Sequence, residues 1–62
     1  MKFYNVVATY FNKQGKLETV TMSLPLSDTS KETLQGLRVG FAHSLLQKGY
    51  HLNSCTLNGV AF

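Results

Sequence analysis

Residues 2–24 read KFYNVVATYFNKQGKLETVTMSL, and the fold follows from how this stretch turns back on itself. Lys2–Asn12 and Lys16–Leu24 both alternate in polarity and are rich in Phe, Tyr, Val and Thr, side chains that suit a pleated surface. Lys13-Gln14-Gly15 separates them. A three-residue hairpin loop ends in a left-handed residue that forms a bulge, and Gly15 accepts that conformation without a Cβ clash. This loop pairs Asn12 with Lys16, and therefore Ala8 with Val20, Val6 with Met22 and Tyr4 with Leu24. All six of the latter then share one apolar face. A loop one residue shorter or longer would set them against Thr19, Thr21 and Ser23 instead, so face matching selects the three-residue turn.

Outward from the hairpin, Pro25 is expected to end the second strand, because it has no amide to donate. Leu26-Ser27-Asp28 is a connector. Thr29-Ser30-Lys31-Glu32 reads as a capping box with Thr29 as the N-cap. The helix is expected from about Ser30 to Lys48, with Gly49 as the stop. Asp28 and Glu32 near its start and Lys48 near its end suit the helix dipole. Leu34, Leu37, Phe41 and Leu45 follow the spacing of a core stripe, and Val39, Ala42 and Leu46 form a second apolar strip beside it. Gly36 and Gly40 each cost up to ~1 kcal/mol inside a helix, which points to close backbone approach or a local kink. Tyr50–Leu57 reads as a third strand of poor alternation, with Leu52, Cys55 and Leu57 as its apolar members. Asn58-Gly59 is a turn signal, after which Val60-Ala61-Phe62 either folds back as a short strand or packs as an apolar tail.

The order β, β, α, β has few compact solutions. A right-handed crossover that keeps connections short places the first strand between the other two. The expected fold is α+β: ββαβ, a three-stranded antiparallel sheet of order 2-1-3 with one helix on one face, in a single domain spanning residues 1–62. A 62-residue chain buries only ~60% of the surface its unfolded form exposes, so little core is available. Cys55 is the sole cysteine, so no internal disulfide can compensate, and a lone thiol fits a reducing compartment. Asn5 and Thr9 interrupt any signal-peptide apolar region, and no apolar run approaches the ~20 residues of a membrane span. The expectation is a cytoplasmic protein.

The chemistry-bearing residues are few. His43, His51 and Cys55 are the only imidazole or thiol ligands. In an unbroken strand His51 and Cys55 share a face but stand ~13 Å apart, too far to hold one zinc ion. Glu18, Asp28 and Glu32 are the only carboxylate side chains, and all read as turn or cap residues. No carboxylate pair, glycine-rich phosphate loop or oriented nucleophile is evident. The expectation is therefore no enzyme, no catalytic residue, no metal and no cofactor.

Two binding readings remain. Net charge is +3, with the bases scattered along the chain. Lys13 and Lys16 flank the hairpin tip, and Phe3, Tyr10 and Phe11 offer stacking faces, as in single-strand nucleic-acid binders. Only one arginine is present, and no RNA-recognition signature accompanies it. The favoured reading rests on the second sheet face, where Phe3, Val7, Phe11 and Leu17 have no cover if the helix packs on the other side. Such a face marks a protein contact, unless the Asn58–Phe62 tail folds over it.

In element order alone the chain resembles small phage-encoded inhibitors of host RNA polymerase. The resemblance implies an inhibitor or modulator of a larger host protein. It carries over no contact residue, since the third strand here has no lysine or arginine. The function expected is thus a protein-binding module, acting as a homodimer or docked on a larger protein through Phe3, Val7, Phe11 and Leu17. Nucleic-acid binding through Lys13 and Lys16 is the alternative.

Overall fold

The computed structural model describes Lys2 through Phe62. The hairpin forms from β1 (Lys2–Phe11) and β2 (Leu17–Leu26), paired in the register read from the loop: Ala8 with Val20, Val6 with Met22 and Tyr4 with Leu24. Gly15 takes φ 79° and donates its amide to the Asn12 carbonyl at 2.9 Å, and the Asn12 amide donates to the Lys16 carbonyl at 2.9 Å. The Asn12 side-chain oxygen also accepts from the amides of Gln14 and Lys16, bracing the turn from inside.

Contrary to expectation, β2 does not end at Pro25, which pairs with Phe3 one residue before the strand stops. The alternation of an antiparallel ladder explains this. Counted from Asn12–Lys16, the even-numbered residues of β2 exchange hydrogen bonds with β1, and Phe3–Pro25 falls on a non-bonded pair. β2 is an outer strand, so the missing donor of Pro25 faces the free edge.

The helix α1 spans Lys31–Gln47, and its N-cap is Ser30 rather than Thr29. The Ser30 hydroxyl accepts the Thr33 amide at 3.3 Å and donates to the Thr33 hydroxyl at 3.0 Å. Asp28 accepts the Ser30 amide at 3.0 Å, which fixes residues 28–30 in a turn and makes Ser30 the last extended residue. Hydrogen bonds from the Thr33 side chain, and next from the Ser30 amide, hold the Asp28 carboxyl below its ordinary pKa. At the other end Gly49 takes φ 82°. The Tyr50 amide reaches the Leu45 carbonyl and the Gly49 amide the Leu46 carbonyl, a Schellman closure.

The chain then enters β3 (His51–Leu57), antiparallel to β1, and turns into β4 (Val60–Ala61). The sheet order is β2-β1-β3-β4, so the expected ββαβ arrangement gains a short fourth strand. Asn58 and Gly59 both have positive φ, 47° and 88°, as a two-residue hairpin of right-handed twist requires. The poor alternation of β3 has a cause: Thr9 pairs with Ser54 but Tyr10 pairs with Leu52, leaving Asn53 as an extra residue in a bulge. The bulge lets Leu52, Cys55 and Leu57 all face the helix opposite Tyr10, Ala8 and Val6.

Among the described residues the fully buried core is small: Val6, Ala8 and Cys55. No helix residue is buried, and the Leu34, Leu37, Phe41 and Leu45 stripe is only half-buried. The helix lies nearest β3, not centred on the sheet. The helix-side face of β2 is consequently left open along a molecule measuring 37 × 18 × 16 Å. Among the described residues, no helix is long and apolar enough to cross a membrane.

Candidate functional site

Strand periodicity and the hairpin register place Phe3, Val7, Phe11 and Leu17 on the sheet face away from the helix. Phe3 is 70% exposed, Leu17 55% and Phe11 39%, while Val7 is half-buried. The tail does not cover them. It pairs beside β3 instead, with the Phe62 amide donating to the Cys55 carbonyl at 3.0 Å and Arg38 donating to the Phe62 carbonyl at 2.9 Å. Arg38 belongs to the helix, so Phe62 is drawn to the helix side of the sheet, where it lines a groove with Leu34.

The four residues do not form one continuous patch. Phe11 and Leu17 are direct cross-strand partners at the hairpin end. Phe3 pairs with Pro25 at the other end, roughly 27 Å away at the rise of an extended strand. Val7 lies between them, flanked by Thr21 and Thr56. A polar cluster separates Val7 from Phe11: the Thr9 and Ser54 hydroxyls hydrogen-bond one another, and the Asn53 side-chain Nδ2 donates to the Thr9 hydroxyl at 3.0 Å. The bulge supplies this cluster. The face therefore alternates exposed apolar side chains with hydroxyl rows. The period of two places these side chains on one face in the sequence as in the structure. It does not reveal the hydroxyl cluster, because pairing Thr9 with Ser54 depends on where β3 meets β1.

The residues of the nucleic-acid alternative are less well gathered. Tyr10 lies on the opposite face from Phe3 and Phe11, stacked on Tyr50 at 5.2 Å between ring centroids. The stem of Lys13 lies against Gly49. Glu18 sits beside the hairpin tip, accepting from the Asn12 side chain at 2.7 Å and from the Tyr10 hydroxyl at 3.4 Å. Burial raises the Tyr10 pKa, and the charge and hydrogen bond of Glu18 add to the rise. This carboxylate opposes a phosphate at the tip that Lys13 and Lys16 flank.

The thiol and imidazoles are dispersed. The bulge puts His51 opposite Phe11 on the outer face and Cys55 opposite Ala8 inside, so the expectation that they share a face is corrected. His43 is bonded to Gln47 on the helix surface. Cys55 is 1% exposed, and burial pushes its thiol pKa up, with Arg38 opposing weakly. Among the described residues, no three His, Cys, Asp or Glu side chains gather in a way that could hold a metal ion.

On the helix side an open groove of about 220 Å³ runs between β2 and α1, lined by Val20, Met22, Phe41, Leu45 and Tyr50 among others. It is the direct result of the helix sitting toward β3. No protein-family model, curated protein or solved structure matches this chain at a significant level.

Proposed function

We propose that this chain is a small non-enzymatic protein-binding module, an adaptor, modulator or inhibitor that docks on a larger protein through its outer sheet face. The observation that carries the reading is the solvent exposure of Phe3, Phe11 and Leu17 on a face that neither the helix nor the tail covers. Burying each such side chain is worth ~1.5–3 kcal/mol, a large term beside a core of three small residues. The hydroxyls of Thr9, Ser54 and Thr56 supply orientation between the anchors.

Affinity capture from the native host, with nuclease treatment and a salt series, tests this. A docked protein stays bound after nuclease and at high salt, since apolar contacts are not screened. Loss of the captured material with nuclease, or a steep decline with salt, would transfer the function to Lys13 and Lys16 and to nucleic acid.

A further inference from the structure

The two edges of the sheet are treated differently. Beside β3 the edge is closed by β4, a strand of two residues, with a bulge in β3 and Arg38 over the last residue. Beside β1 the edge is β2, a strand of ten residues with no strand on its outer side among the described residues. Edges that must stay single are blunted by lysines, bulges, prolines or a covering element. Between Leu17 and Leu24, β2 has no lysine, no proline and no bulge in its pairing with β1. Its free groups are known from the ladder: with the even residues bonded to β1, the amides and carbonyls of Leu17, Thr19, Thr21 and Ser23 point outward.

A row of alternating donors and acceptors is complementary to another strand. The geometry points to a second copy of this chain as that partner, with β2 pairing antiparallel to β2 about a twofold axis at Val20. This register matches Leu17 with Ser23 and Thr19 with Thr21 of the other copy, so every outward amide and carbonyl of these residues is bonded. It also leaves Pro25 outside the ladder. Val20, 38% exposed, meets its own counterpart on the helix side, and Thr19 meets Thr21 on the outer side, a β-branched pair that suits a sheet. Charge permits the approach. The chain carries +3, but β2 itself bears only Glu18, which the pairing sets opposite Met22.

Area sets the strength. Seven paired residues extend ~24 Å, and a sheet with its side chains is ~10 Å thick, so the edge contact covers roughly 240 Å² per copy, well below the ~800 Å² per partner of a standard interface. The dimer is accordingly reversible. It joins two outer faces into one eight-stranded surface and leaves Phe3, Val7, Phe11 and Leu17 free for a different partner. The inference stands on the strand edge and does not rest on the docking role of that face.

Sedimentation equilibrium of the intact chain from about 1 to 500 µM, together with amide hydrogen exchange, tests it. The expected mass rises with concentration toward twice 6.9 kDa, and the amides of Leu17, Thr19, Thr21 and Ser23 become protected in step. Thr21→Pro removes an outward amide without touching the β1 ladder, at a kind of position Pro25 already occupies, and should return the chain to a monomer. Val20→Lys sets two like charges across the axis and should do the same; it decides the matter if Thr21→Pro fails to fold. A wild-type chain that stays monomeric throughout, or a dimer that survives in the folded variants, overturns the inference. Val7→Lys separates the two surfaces, because it should leave this dimer intact.

Discussion

The two helix glycines offer an unusual test, because both stand in open space. A Cβ built on Gly36 or on Gly40 meets no atom within 4 Å outside the local helix, and neither residue has positive φ. The sequence expectation of close backbone approach is therefore unmet within one chain. Alanine in a helix interior is better than glycine by ~0.8–1.0 kcal/mol, and nothing here offsets that gain. The double variant Gly36→Ala, Gly40→Ala should gain roughly 1.5–2 kcal/mol. For a chain of 62 residues total stability is about 3–9 kcal/mol, so the gain is a large fraction of it. The melting temperature should rise by roughly 10 °C. Thermal and urea unfolding followed by circular dichroism measure both quantities. A double variant no more stable than the wild type would refute the reasoning, since it would mean that something packs closely on that side of α1.

The N-cap gives a paired test: Ser30→Ala should cost ~1 kcal/mol, while Thr29→Ala should be close to neutral because its side chain does not cap α1. A loss at Thr29 with none at Ser30 would return the cap to Thr29. Cys55 should react slowly with thiol reagents in the folded chain, and folding stability should fall as pH rises above the ordinary thiol value of 9.0. The sign follows from its raised pKa: the neutral thiol is favoured in the fold, so its contribution is complete below the unfolded pKa and lost as pH climbs through the folded one. Cys55→Ser should remove that thiol contribution, leaving a smaller alkaline decline from Tyr10, whose pKa is also raised, and should retain partner binding. A thiol that reacts rapidly at neutral pH would contradict the burial.

The features legible in the sequence were those set by local chemistry. Gly15 at a left-handed position dictated the hairpin register, and Gly49 dictated where α1 stops. Strand order followed from chain connectivity. What sequence reading missed depended on partners distant along the chain. The bulge at Asn53 exists because β3 must present Leu52 as well as Cys55 and Leu57 to the helix, a demand visible only once β1 lies opposite. Pro25 reads as a terminator in the sequence, because its tolerance depends on β2 being the outer strand. Ser30 displaced Thr29 because Asp28 captures the Ser30 amide, a turn that competes with the capping box. For the candidate face, the period of two assigned Phe3, Val7, Phe11 and Leu17 to one side, but not the hydroxyl rows that divide them.

The outer face is proposed as a surface for a partner and not as part of the core. Val7→Lys tests it most directly, since Val7 sits mid-face between Thr21 and Thr56, on the side opposite Val6 and Ala8. The measurement is partner capture by this variant beside the wild type, with circular dichroism confirming that both are folded. A folded variant that captures nothing is expected. A variant that unfolds would show the face to be core, and a folded variant that captures the partner as well as the wild type would place the contact elsewhere.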